Sequence, residues 1–217
     1  MARLARVVVP GVPLHIIQRG SNHHQTFFSD KDYKEYLYLM ADWCNRCAVE
    51  VLAYCLMPNH IHLVCVTRSE DGLRKAIGEA HRRYTRHINT ENGWTGHLWQ
   101  GRFASYPVDD NYLMAVTRYI VFTPVRLRLV KKPENYRWSS CRAHLTGRDD
   151  ILVKVKPLLA RTQNFRELLE NDLSQEQYVA IRSHEKTGRP LGSDSFVAWL
   201  EEKTARTLRK QKPGPKK

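Results

Sequence analysis

A chain of 217 residues accommodates one domain of ordinary size with appendages, or two small ones, and its 42% apolar content excludes disorder throughout. Lys and Arg number 35 against 22 Asp and Glu, a net charge of +13 with histidine neutral, so the far field attracts polyanions: nucleic acid first, an anionic membrane surface second. No apolar run approaches a membrane span, and Val7-Val8-Val9 is too short for a signal segment, so a soluble, cytoplasmic protein is expected. The five cysteines (Cys44, Cys47, Cys55, Cys65, Cys141) are odd in number and fall within predicted helix and strand, which points to reduced thiols. Cys44-Asn45-Arg46-Cys47 lacks the second pair that a zinc site would need.

Leu14 to Arg19 predicts a first strand, ended by Gly20-Ser21-Asn22, with His23 and His24 in the following loop. Ser29 with Asp32 three residues on opens a helix in capping-box fashion, and Tyr33, Tyr36, Leu37, Met40 and Cys44 carry it to about Ala48. Val51 to Leu56 is a second strand, folded back by Met57-Pro58-Asn59 onto a third. In that third strand, period two puts Ile61, Leu63 and Cys65 on one face and His60, His62, Val64 and Val66 on the other. Two imidazoles then address one point, which suits metal ligation if another donor arrives from elsewhere, although by pattern alone structural histidines are the commoner reading. A helix from Glu70 to about Asn89 begins amphipathic and ends basic, and a fourth strand follows near Ala104 to Val108. Strand, helix, strand, strand, helix, strand is the order of a ferredoxin-like α+β sheet, antiparallel with helices on one face.

Asp109 and Asp110 can cap the next helix, which is expected to run to about Phe122 and to be stopped by Pro124. Tyr112, Ala115, Val116, Tyr119 and Thr123 share one of its faces, with Tyr119 and Thr123 one turn apart. Residues 133–140 lead into a short helix ended near Gly147. Helical pieces follow around Asn164 to Glu170, after Ser174 with Gln177 as box partner, and after Ser193 with Phe196, Val197 and Leu200. The expected division is a domain over 1–147, a helical extension over 148–202 and a basic, disordered tail over 203–217.

Residues 81–103 interleave Arg82, Arg83, Arg86 and Arg102 with Tyr84, Trp94, Trp99 and Phe103, the combination that holds phosphates and stacks unpaired bases. The plainer alternative is a solvated helix face beside core tryptophans. Arg19, Arg82, Arg83, Arg86, Trp99, Arg102, Arg118 and Arg126 are the candidate nucleic-acid contacts.

Four ordered motifs carry a resemblance: Met57-Pro58-Asn59-His60-Ile61-His62-Leu63-Val64; Gly96-His97-Leu98-Trp99-Gln100-Gly101-Arg102-Phe103; Arg118-Tyr119-Ile120-Val121-Phe122-Thr123-Pro124-Val125-Arg126; and Trp138-Ser139-Ser140. Over about residues 5–147 the chain resembles the REP-associated tyrosine transposases of the HUH single-strand endonuclease superfamily, and the resemblance touches Thr187 to Ser193. It implies that His60 and His62 hold Mg2+ or Mn2+, and that Tyr119 attacks a DNA phosphodiester to give a 5′-phosphotyrosine and a free 3′-hydroxyl. It further implies a substrate of single-stranded or hairpin DNA, a repetitive extragenic palindrome in the family, and a monomer, with a homodimer as the alternative. The third ligand in the family is an Asn or Gln carboxamide four residues after the tyrosine. Here that position is Thr123, whose hydroxyl is the expected third ligand. Water in its place, or a cleavage-deficient protein that binds structured single strands, is the alternative.

Overall fold

The alternating segments of the N-terminal half pair as their pattern requires. In the computed structural model, which describes residues 4–162, 164–170 and 173–210, four strands form one antiparallel sheet in the order β2-β3-β1-β4. They are β1 (Leu14–Arg19), β2 (Val49–Met57), β3 (His60–Thr67) and β4 (Ala104–Pro107). With α1 (Asp30–Arg46) linking β1 to β2 and α2 (Gly72–Asn92) linking β3 to β4, this is the ferredoxin-like α+β arrangement expected from element order.

Local chemistry sets the helix ends. The Asp32 amide donates to Ser29 Oγ while the Ser29 amide donates to Asp32 Oδ2 at 2.8 Å, the reciprocal capping box at the start of α1. Gly93, in the left-handed conformation at φ 65°, ends α2. One face of the sheet, with Leu14, Ile16, Ile61, Leu63 and Cys65, packs under Tyr36, Met40, Leu73, Ile77 and Tyr84 of α1 and α2, all fully buried. Phe27, Tyr33 and Trp138 continue this core as a ring stack with centroids 4.4 and 4.5 Å apart. Burial of one such side chain is worth about 1.5–3 kcal/mol, so this face carries much of the fold's stability.

The sheet's second face is also covered. Here α3 (Asp110–Arg126) and α7 (Gln175–Thr187) lie across His15, His62 and Tyr106. Helices on one face therefore describe only the crossover helices α1 and α2. The second face carries Ala53, Cys55, Met57 and Val64 beside its histidines, and this apolar surface needs a cover. Helix α3 does not stop at Phe122 but runs through Pro124 to Arg126. Proline deletes one ladder bond only, close to the helix end, and the next turn closes through Leu127 N–H to Thr123 O at 3.0 Å and Leu129 N–H to Pro124 O at 2.9 Å.

The C-terminal part consists of α4 (Cys141–Thr146), α5 (Lys156–Leu159), α6 (Phe165–Glu170), α7 and α8 (Asp194–Thr204). Isolated parallel bridges join Val153 to Val51 and Leu191 to Val108, so this part is stitched to both edges of the sheet. Of the basic segment 203–217, the described residues 203–210 are docked: Leu208 is buried, and Arg206 donates to the carbonyls of Ala5 and Arg6 at 2.7 and 2.9 Å. The expected disorder over 211–217 lies outside the described residues. The five cysteines are free thiols, and Cys44, Cys55, Cys65 and Cys141 are buried. Among the described residues no helix is long and apolar enough to cross a membrane.

Candidate active site

Strand register assembles the site. Ile17 stands opposite His62 and Arg19 opposite His60, while β4 sets Tyr106 opposite His15. His15, Ile17, Arg19, His60, His62 and Tyr106 therefore share the second face. His15 joins its neighbours with both nitrogens: Nδ1 lies 2.7 Å from Tyr106 Oη and Nε2 lies 3.0 Å from His62 Nδ1. His60 Nδ1 is 2.7 Å from Asn59 Oδ1, and its ring stands nearly perpendicular to His62 with centroids 5.1 Å apart. Burial pushes the pKa of His15 down to about 3 and that of His62 well below the usual value. Burial, reinforced by Arg19, takes His60 down to about 3. All three are neutral at pH 7, the form in which imidazole binds a metal.

Helix α3 brings Tyr119 over this face. Asp109 caps the helix by accepting from the Tyr112 amide at 2.9 Å. The buried Tyr119 ring lies 5.8 Å from His62 and 6.3 Å from His15, with the Arg126 guanidinium 4.4 Å from its centroid. Its hydroxyl lies in the field of the Arg182 and Glu185 side chains, which act on it in opposite senses. Burial, and then the Glu185 charge, push the phenol up to about 12, while Arg182 and Arg126 pull the other way. Thr123 faces elsewhere: its hydroxyl donates to Tyr119 O at 2.9 Å and accepts from Arg126 Nη2 at 2.8 Å. Arg126 also donates to Tyr119 O. The oxygen expected as third ligand thus points at its own helix and at a cation.

Helix α7 contributes two residues that sequence reasoning passed over, Arg182 and Glu185. The Glu185 carboxylate is 5% exposed; Oε2 lies 3.3 Å from Arg182 Nη1 and 3.9 Å from Arg19 Nη2, and Oε1 lies 4.0 Å from His62 Nδ1. One ligand atom from each of His15, His62 and Glu185 falls within 4.8 Å of the others. A signal was available: Tyr178, Ile181 and Glu185 follow at i, i+3 and i+7, so this glutamate sits on the helix's inward stripe.

The candidate nucleic-acid contacts divide. Arg19 and Arg126 join His60, His62 and Tyr119, and Arg118 is half-buried one residue before Tyr119. Arg82, Arg83 and Arg86 are exposed on α2, whereas the exposed Arg102 lines both the groove beside α2 and a cavity shared with Ile17, Arg19 and Glu185. Arg82 pairs with Glu79 at 2.7 Å, and Arg83 lies 3.8 Å from Glu79 and 5.0 Å over the Trp43 ring. Arg82 and Arg102 line, with Arg6 and Arg74, an open groove of about 1000 Å3. Trp99 is a core residue, 6% exposed with His81 stacked at 4.5 Å among Phe27, Tyr36 and Tyr84, so no face is offered to a base. The exposed tryptophan of this region is Trp94, edge-on to Phe28.

The family described as "Transposase IS200 like" matches residues 8–122, from before β1 to just past Tyr119. No curated protein matches the chain. Among solved structures, a REP-associated tyrosine transposase bound to a REP hairpin is 17% identical, covers 70% of this chain and 90% of its own, and superimposes with a TM-score of 0.54. A candidate transposase from Deinococcus radiodurans is 21% identical, covers 55% of this chain and 95% of its own, with a TM-score of 0.40. With His60, His62 and Tyr119 all inside the matched residues, the chain belongs to the IS200-like transposase family.

Proposed function

We propose that the protein is a metal-dependent single-strand DNA endonuclease and strand transferase that cuts beside hairpin-forming sequences with Tyr119 as nucleophile. The observation that carries this reading is the approach of Tyr119 to His62, ring to ring at 5.8 Å, within a pocket that also holds Arg19, Arg126 and Arg182. The donor chemistry fits a divalent cation: neutral imidazoles bind first-row metal ions, a carboxylate suits Mn2+ or Mg2+, and the pocket keeps the histidines neutral at pH 7. In the family's arrangement, His60 and His62 would hold the ion. When bound, it would polarise a non-bridging oxygen of the scissile phosphate and orient that group for in-line attack.

The residues then divide the remaining work. Tyr119 Oη forms a bond to phosphorus as the bond from phosphorus to the 3′-oxygen breaks, giving a 5′-phosphotyrosine, and the phenolic proton balances the leaving 3′-oxygen as a hydroxyl. A phenol pushed up to about 12 is a poor nucleophile at neutral pH, so the cations around it matter: Arg182 and Arg126 favour the phenolate. Arg19 is placed to meet the phosphate backbone. Arg82, Arg83 and Arg86 would act at a distance, as a basic surface that gathers DNA, and Arg102 would meet the strand nearer the site, in the cavity it lines with Arg19 and Glu185. The catalytic unit over 1–147 is, on this reading, completed by α7 from the extension over 148–202.

The fold neighbour bound to a REP hairpin motivates a hairpin probe. Labelled hairpin DNA with a single-stranded flank, incubated with Mn2+ and run on a denaturing gel, should give a nick and a protein adduct with wild type and neither with Tyr119→Phe. DNA bound by wild type without nick or adduct would overturn the reading. That outcome would favour a cleavage-deficient binder of structured single strands, for which Thr123, with its hydroxyl engaged by Arg126, is the specific support.

A further inference from the structure

We infer that α7 supplies this chain's oxygen ligand, so that the divalent cation sits between His15, His62 and Glu185, with Thr123 taking no part. The inference rests on the metal-dependent reading above and departs from it in the ligands: His15 takes the place given there to His60, and Glu185, from a helix beyond the family match, supplies the oxygen.

His15 Nε2 and His62 Nδ1 are 3.0 Å apart, and His62 Nδ1 and Glu185 Oε1 are 4.0 Å apart. An ion about 2.1–2.3 Å from nitrogen and oxygen donors bridges pairs separated by roughly 3–4.5 Å. The third pair, His15 and Glu185, lies within 4.8 Å, so side-chain rotations that draw these two together complete the set.

The two histidines share one hydrogen between His15 Nε2 and His62 Nδ1, which an ion must displace. A change of tautomer provides for this without charging either ring: His15 keeps its hydrogen on Nδ1 and donates it to Tyr106 Oη, 2.7 Å away, while His62 keeps its hydrogen on Nε2. Both freed lone pairs then face the carboxylate. A metal-bound imidazole usually donates its other N–H to an oxygen in this way, and Tyr106, fully buried, is the fixed acceptor.

Charge decides the matter. Arg19, Arg126 and Arg182 crowd the histidines, so a divalent ion held only by neutral donors would enter a positive pocket. Glu185 is the carboxylate among these groups, whereas Thr123 brings no charge and its hydroxyl already accepts from Arg126. The competing account is a purely structural ion pair of Glu185 with Arg182 at 3.3 Å and Arg19 at 3.9 Å.

The test needs no DNA. The full chain, freed of metal by chelation, is titrated with Mn2+ and the free ion is counted by electron paramagnetic resonance. Wild type should bind Mn2+; Glu185→Gln and His15→Gln should each weaken binding by roughly tenfold or more; His62→Ala should abolish it; Thr123→Val should leave it unchanged. Wild-type affinity in Glu185→Gln or His15→Gln, or a loss in Thr123→Val, overturns the inference. If His62→Ala loses Mn2+ while Glu185→Gln keeps it, metal dependence stands and the role of α7 falls. A wild type that binds no Mn2+ removes both. Should Glu185→Gln fail to melt cooperatively, Glu185→Asp keeps the charge with a shorter reach, and its expected affinity lies between wild type and His62→Ala; wild-type affinity there also counts against the inference.

Discussion

His15, His60 and His81 are each held at a pKa of about 3 by burial, and their neutrality governs more than ligand chemistry. Each titrates near 6.5 once unfolded, so between the two values the unfolded chain binds more protons than the folded one. Stability is therefore complete above about pH 6.5 and is lost as pH falls toward 3. By pH 5 the cost is on the order of 2 kcal/mol per histidine, which should lower Tm by on the order of 10 °C relative to pH 7. Thermal melts across that range test it, and an unchanged Tm would contradict the neutral burial of these rings. Arg126 shows why single residues were hard to read in isolation. As a basic residue near a tyrosine it resembled a phosphate contact, yet it stacks on the Tyr119 ring and fills Thr123's acceptor site. Both facts depend on a helix that continues past Pro124.

Helix α3 owes its position to Asp109, which serves two segments. Oδ1 accepts from the Tyr112 amide at 2.9 Å and caps the helix, while Oδ2 accepts from the Ser193 amide at 2.8 Å and ties in the C-terminal segment. Gly192 leaves room for this approach: an added Cβ would meet Asp109 at 2.7 Å. Asp109→Ala should cost about 1–2 kcal/mol, seen as a lower denaturant midpoint at unchanged slope. A cost near zero would mean that the cap contributes nothing. The strands, α1 and the hairpin at Met57 to His60 were legible because each announces itself locally, by period two, by the Ser29 and Asp32 box, and by a Pro-Asn turn. The end of α3 was not, because a proline normally stops a helix and here sits where only one ladder bond remains to lose. The role of α7 was equally hidden, since a glutamate on an apolar stripe reads as an imperfection until the stripe's partner is known.

At the scale of the molecule, the C-terminal part is a cover for the second face of the sheet. It is anchored by Val153 on Val51, Phe165 stacked 4.8 Å from His144, and Leu191 on Val108. Ending the chain at Gly147 should lower the melting temperature or abolish cooperative unfolding, and should remove Mn2+ binding with Glu185. A truncated protein with full Tm and full Mn2+ affinity would refute both the cover and the ligand. The sequence by itself determined the order of the ferredoxin-like elements, the basic field of +13, the facing pair His60 and His62, and Tyr119 a helix and a strand further along. These follow from short-range periodicity and from charge, which need no knowledge of distant contacts. Only the tertiary structure decided that Trp99 is core, that Thr123 turns to its own helix, and that His15 and Glu185, 170 residues apart in the numbering, meet at His62. Such contacts arise from strand register and from the docking of one helix on one face, and no local pattern encodes a donor that arrives from the other end of the chain.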